Sequence, residues 1–463
     1  MHGIDLLIIC AYFILLIFLS TFRRNKDHTE SSFLLSGRSM TLPAFVATLV
    51  STWYGGILGS GEYSYQFGIS QWVVFGLPYY LFAILFAVFL AGKIRSNKAL
   101  TIPEAISNTY SKGSGNVSAL LIFLLVSPAP YILMLGLLFQ FVTGSESHTL
   151  LFSVIVALFS VGYVSISGFK AVIRTDILQV ILMYSGFFVL LVLAFNYAGM
   201  PWEIWGDLPE THRSFDGGHG IPFVLVWFFI ALWTFVDPSF HQRAAAATSG
   251  STARKGIYLS VGFWFIFDMC TALTGIYGFI ILGDIDQPLL VYPELGRYLL
   301  PAGLTGLFFL TLLATIMSTL DSFLFISGQT LGRDLISRNY RIENPIHATR
   351  WAMLISAGIG ILLIMIFPSV IALWYVIGSV IIPGLLLPVL GIYVPFFRVP
   401  QKLVMYSLLL PCLTSLAWLV LGVSVSEDLY SYAFLGLEPF YPGLALAIIL
   451  LFAGKVLETN SEN

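Results

Sequence analysis

The stretch "ATIMSTLDSF", residues 314–323, sets two adjacent hydroxyls, Ser318 and Thr319, ahead of a carboxylate, Asp321, and a third hydroxyl, Ser322. It lies inside an almost wholly apolar run from Gly303 to Gly328. A carboxylate at bilayer depth costs roughly 2.5–3.5 kcal/mol on insertion scales, so it marks a functional site by default. Successive helical residues are about 100° apart, so both hydroxyls reach one crevice. The carbonyl of Thr315, one turn before Ser318 on the same face, keeps a spare lone pair. Oxygens grouped in this way suit a hard cation that exchanges its water for protein ligands. The alternative use is structural, because such hydroxyls also bond back to carbonyls one turn earlier or join neighbouring helices.

The elements that position these residues are membrane helices. Of 463 residues, 58% are hydrophobic and 10% charged, which excludes a soluble domain. Apolar segments at 5–21, 44–66, 70–92, 117–142, 149–166, 174–197, 221–240, 256–282, 303–328, 348–367, 369–396, 402–424 and 439–455 give thirteen candidate spans. The positive-inside rule fixes their orientation. With the N-terminus outside and the C-terminus cytoplasmic, 20 of the 22 Lys and Arg fall on the cytoplasmic side, among them Arg23, Arg24, Lys26 and Arg243. Arg213 and Arg297 are the exceptions. The charges after the first apolar run, rather than before it, indicate a retained helix and not a signal peptide. An integral plasma-membrane protein is expected, the bacterial inner membrane if prokaryotic.

Other function classes lack their marks. The basic residues are dispersed, which argues against a nucleic-acid partner. Cys10, Cys270 and Cys412 form no CxxC pair, and the seven histidines form no HExxH or comparable spacing, so neither zinc, a disulfide framework nor an enzyme is indicated. A channel or a transporter-like sensor is the alternative function; a long soluble extension would favour it, and the sequence runs only about eight residues past the last span.

Two spans carry internal breakers. In 44–66, Gly55, Gly56, Gly59 and Gly61 cluster, and each disfavours helix by about 1 kcal/mol relative to Ala. In 221–240, Pro238 removes a donor and clashes with the preceding turn. Each broken helix is the first of a five-helix set, 44–197 and 221–397. Five is odd, so the sets are inverted relative to each other, and paired broken helices point to a transporter site. The expected fold is all-α, with two inverted five-helix repeats. An extra helix and loop precede them (1–43), an extracellular loop joins them (198–220), and two further helices and a short tail follow (398–463).

Several stretches resemble the sodium/solute symporter family: "SGFKAVIRTDILQV" (167–180), "ATIMSTLDSFLFISGQTLGRDL" (314–335), "LTIPEA" (100–105) and "GSGEYSYQFG" (59–68). The resemblance spans about residues 30–400 and implies the leucine-transporter fold, with a sodium ion between the first and eighth core helices. Its implied ligands are the carbonyls of Leu49, Thr52 and Thr315 and the hydroxyls of Ser318 and Thr319. Family members with a second sodium site use hydroxyls matching positions 321 and 322 and an aspartate matching Asp176; here position 321 is itself a carboxylate. Asp321 therefore helps bind a second cation, carries a proton, or serves the cytoplasmic exit path.

The same resemblance sets the substrate between the broken first and sixth core helices. That region offers Trp53, Tyr54, Gly55 and Gly56, then Trp233, Thr234 and Phe235, with Tyr79 and Tyr80 on the second core helix and Trp374 and Tyr375 on the tenth. Aromatic rings flanking glycines suit a small solute. No Lys or Arg is expected in the middle of a core helix, whereas Asp237, Asp268 and Asp321 lie within spans. The family commonly has Gln where Asp237 stands. A neutral or zwitterionic solute such as an amino acid or sugar fits best, with a cationic one open. Sodium, the solute and the lipid bilayer are the expected partners; oligomeric state is not legible.

Overall fold

The computed structural model describes residues 2–21, 29–145, 148–366, 369–424 and 432–462. Arg23, Arg24 and Lys26 lie outside the described residues. Among the described residues, thirteen helices are long and apolar enough to cross a bilayer. They are α1 (Gly3–Thr21), α2 (Leu42–Phe67), α3 (Ser70–Ser96), α4 (Lys112–Thr143), α5 (Thr149–Ile166), α6 (Phe169–Ala198), α7 (Ile221–Ala246), α8 (Gly250–Leu282), α9 (Leu304–Tyr340), α10 (Pro345–Ile366), α11 (Val370–Tyr393), α12 (Val404–Val423) and α13 (Phe440–Glu458). Each expected span has its counterpart, and no strand is formed among the described residues.

The interruptions have local causes. In α2 the helix tightens to a single 3₁₀ turn at Tyr54–Gly56 and then resumes. The four-glycine cluster thus does two things. Gly55 and Gly56 make the turn, while Gly59 and Gly61 stay helical, Gly61 letting the Tyr292 ring within 2.7 Å of where a Cβ would stand. In α7 the chain turns at Ala231–Leu232 and becomes extended at Asp237 (φ −66°, ψ 114°). The missing N–H of Pro238 forbids continuation, and Asp237 restarts the helix by accepting from Ser239 N at 2.6 Å. A further break, at 126–128 in α4, falls where "SPAP" places Pro128 and Pro130.

The centre is α9. Every residue from Phe308 to Thr330 is buried, as expected of a helix surrounded by other helices. It packs against α1, α2, α6 and α10. Its first turn would leave unpaired N–H groups in an apolar setting. The Asp5 carboxylate of α1 meets two of them, accepting from Gly303 N at 2.7 Å and Gly306 N at 2.9 Å. A Cβ on Gly306 would lie 2.5 Å from Asp5 Cα, so glycine is what lets the two helices close. Between α6 and α7, buried His212 holds the end of α2, with its ring Nε2 2.8 Å from the Tyr65 carbonyl and its own carbonyl accepting from Ile69 N. Burial holds its imidazole below the ordinary range.

Asp5→Ala removes the cap that α1 provides to α9. The expected loss is about 1–2 kcal/mol, the usual worth of such a cap, read as a lower melting temperature of the purified protein. An unchanged melting temperature contradicts the capping role.

Candidate ion and substrate site

Four helices, α2, α6, α7 and α9, converge on one buried charged pair. Asp176 of α6 and Arg243 of α7 approach to 3.6 Å, both with 0% side-chain exposure. Asp176 accepts from Ser318 Oγ at 2.6 Å through one oxygen and from Thr48 Oγ1 through the other. Arg243 Nη2 donates to Thr52 Oγ1 at 2.6 Å, Thr48 Oγ1 at 3.0 Å and Ser322 Oγ at 3.0 Å. Its Nη1 reaches the Ser239 carbonyl at 3.3 Å, and the guanidinium lies 5.5 Å from the centre of the Phe169 ring.

This corrects the sequence reading. Arg243 was expected as a cytoplasmic helix-end charge, with no cation among the core helices. The break in α7 brings its last turn inward beside Asp176, where Nη2 of the guanidinium meets oxygens of three other helices, while Nε has no partner among the described residues. The guanidinium sits among the hydroxyl of Ser322 and the carboxylate of Asp176, two groups that suggested a second cation. Asp321, the third, lies elsewhere. Its carboxylate accepts from Tyr163 Oη of α5, and its Oδ1 has no partner among the described residues.

The oxygens expected to hold sodium lie on facing helices. Thr319 Oγ1 donates to the Thr52 carbonyl at 2.7 Å, just ahead of the α2 break. Ser318 commits its proton to Asp176, which leaves its lone pairs for a cation. Leu49 and Thr315 are buried on α2 and α9, which pack together. Thr315 Oγ1 bonds back to the Thr311 carbonyl at 2.8 Å, so its side chain follows the structural alternative.

Between the broken helices lies a cavity of about 130 Å³. Trp53, Tyr54, Gly56, Tyr79, Trp233 and Trp374 line it, as the sequence suggested. Gly55, Thr234 and Phe235 do not. A Cβ on Gly55 would lie 2.3 Å from Thr319 Oγ1, so this glycine faces the ion oxygens. One on Gly56 would lie 1.9 Å from the Trp374 ring, on the cavity side. Thr234 is buried with its hydroxyl unpartnered among the described residues, and Phe235 packs edge-on against Phe82 at 5.8 Å. Tyr131, just past the α4 break, and Gln71, Phe75 and Trp227 line the cavity too, with nothing in the sequence that assigns them there. Asp237 and Asp268, acidic groups within spans to which the sequence assigns no role, also line it. Their signal was the one used for Asp321, a carboxylate inside an apolar run.

Two helices broken at matching positions, a cavity between them and an oxygen cluster at the first break define a secondary transporter of inverted-repeat fold. The chain matches the Sodium:solute symporter family over residues 33–399 and belongs to it. The high-affinity proline transporter PutP of Bacillus subtilis (strain 168) is 26% identical over 354 residues, 71% of this chain and 72% of that one. The sodium/glucose cotransporter of Vibrio parahaemolyticus is 25% identical over 379 residues, 70% and 67% of the two chains. A solved Na⁺-coupled sialic acid symporter, in a substrate-bound outward-open state, has the same fold, with a TM-score of 0.76 at 14% identity over 98% of this chain and 97% of that one. The protein is an integral, multi-pass membrane transporter with sodium as its coupling ion.

The two adjacent glycines separate the ion side from the solute side. Gly55→Ala should lower apparent sodium affinity by about tenfold, the effect of ~1–3 kcal/mol of overpacking, while Gly56→Ala weakens solute binding first. Sodium and solute titrations of uptake check this; an unaltered sodium dependence in Gly55→Ala contradicts it.

Proposed function

We propose that the protein is a sodium-coupled symporter of a small neutral or zwitterionic organic solute, working by alternating access. The observation that carries this reading is the Thr319–Thr52 contact at the α2 break, beside the cavity between α2 and α7. The sodium ligands are the carbonyls of Leu49, Thr52 and Thr315 and the hydroxyls of Ser318 and Thr319. An ion held there ties α2, in the first repeat (44–197), to α9, in the second (221–397). Sodium occupancy therefore biases how the repeats sit around the solute. The segments 1–43 and 398–463 flank this core. Inward movement of each sodium charge supplies about 2.3 kcal/mol per 100 mV of membrane potential.

One sodium per cycle follows from the charged pair. Arg243 already neutralises Asp176 and engages Ser322, so a second cation there meets a like charge at hydrogen-bonding range. Asp321, paired with Tyr163, serves the ion's exit path rather than a shared site with Asp176. The N-terminus is outside and the C-terminus cytoplasmic, on the positive-inside distribution.

Ser318→Ala and Thr319→Ala should each raise the sodium concentration needed for uptake or thermal stabilisation by about tenfold or more, the worth of one charge-assisted ligand. Unchanged sodium dependence in both removes the assignment. For topology, a cysteine placed at Ser145 should react with an impermeant thiol reagent from outside, and one at Ser251 only from inside. The reverse pattern at either position overturns the orientation.

A further inference from the structure

The cavity between the broken helices is acidic and aromatic at once. Asp237 and Asp268 both line it, at 5% and 2% exposure, and no Lys, Arg or His is among the described residues that do. Neither carboxylate has an ion-pair partner among the described residues. Arg243, the nearest candidate by sequence, is engaged with Asp176 and the hydroxyls of Thr48, Thr52 and Ser322. Asp268 accepts from Tyr80 Oη, and Asp237 from Ser239 N. A carboxylate has about four acceptor positions, so both keep capacity toward the cavity. Asp237 feels the Arg243 charge without forming an ion pair, whereas Asp268 has no cation beside it among the described residues. Buried carboxylates without an ion pair are costly, and within a membrane span they mark a functional site by default.

The rest of the lining favours the same ligand. Trp53, Tyr79, Trp233 and Trp374 turn aromatic surface to the space, and Trp53 and Tyr79 meet edge to face at 4.8 Å. A cation within about 6 Å of such a ring is attracted by its quadrupole, more strongly once desolvated. Among the described residues, Gln71 Oε1 is a further unpartnered acceptor there, whereas Trp227 Nε1 is an unpartnered donor. We propose that the transported solute presents a positively charged nitrogen to Asp268 and Asp237 within this aromatic enclosure, and an accepting group to Trp227; the inference rests on the reading of this cavity as the solute site. At about 130 Å³ the space is close to the roughly 150 Å³ that accepts a benzene ring, so the solute is small. A zwitterionic amino acid fits within the symport reading above, a compact amine or quaternary ammonium extends that reading to a cation, and a sugar does not fit.

The test is binding to the purified full-length protein in saturating sodium, followed by calorimetry and thermal shift. The probes are choline, its uncharged carbon isostere dimethylbutanol, L-proline and D-glucose. At least one of the two charged-nitrogen probes should bind, choline exceeding its isostere by about tenfold or more if it is the one, and glucose should not bind, consistent with one charge-assisted contact. Asp268→Asn should abolish that preference while sodium still stabilises the protein, and Asp237→Asn provides the same readout if the first variant does not fold. Sodium stabilisation with no binding of either charged-nitrogen probe, parity between choline and its isostere when choline binds, or glucose binding overturns the inference and leaves the symport reading standing. A variant that loses sodium stabilisation but keeps the probe preference also overturns it, by assigning the carboxylate to the ion. Absence of any sodium effect on the wild type instead defeats the symport reading.

Discussion

The architecture depends on one buried pair, Asp176 with Arg243. Taking two charges out of water is costly, and their attraction repays it only where hydrogen bonds satisfy the remaining donors and acceptors. Here α2 supplies Thr48 and Thr52 and α9 supplies Ser318 and Ser322, so four helices are registered by a single polar cluster. Removing one partner of such a pair typically costs about 3–5 kcal/mol, because the other charge is left buried and unpaired. The pair thus constrains which way each neighbouring hydroxyl points. Ser318 gives its proton to Asp176, and Thr52 Oγ1 receives from Arg243.

That constraint reaches the proposed sodium and solute sites through the break in α2. The chain tightens at Tyr54–Gly56, where Gly55 meets Thr319 and Gly56 meets Trp374. One short turn therefore sets one glycine against the ion oxygens and the next against the cavity, which Leu49 and Thr52 also line, and neither glycine tolerates a side chain without displacing the Thr319 or Trp374 side chain. The break in α7 acts in parallel. By ending one helix at Asp237 and starting another, it points a carboxylate into the cavity and carries Arg243 to Asp176 six residues later. Broken helices here do two jobs at once, exposing polar groups and delivering charged side chains to the interior.

Much of this was legible in the sequence, for identifiable reasons. Hydrocarbon thickness forces long apolar runs, and charge bias counts them, so the thirteen spans emerged from composition. Pro238 and the Gly55–Gly56 pair announced the breaks because their backbone chemistry is local. The place of Arg243 was not legible, since the positive-inside count treats any cation near a span end as solvated, and only tertiary contact with Asp176 shows otherwise. Gly55 and Gly56 could not be told apart, because about 100° of helix rotation separates ion side from cavity side. Asp321 was expected near Asp176 because the family resemblance groups positions 321, 322 and 176 at one cation site. The three residues from Ser318 to Asp321 leave a helix about 60° short of a full turn, and on a helix buried all round that offset is enough to reach α5 and Tyr163. The break in α4 went unread, although Pro128 and Pro130 mark it and bring Tyr131 to the cavity.

The central claim is that a guanidinium of the protein itself holds the second cation position, so that coupling uses one ion. Reversal-potential measurement on the reconstituted protein tests it most directly, by setting an outward solute gradient against known sodium gradients until net flux vanishes. Zero flux should fall where one sodium per solute balances the gradients, and Arg243→Ala, if it folds, should not transport with lower coupling than the wild type. A balance point that requires two sodium ions per solute in the wild type contradicts the account.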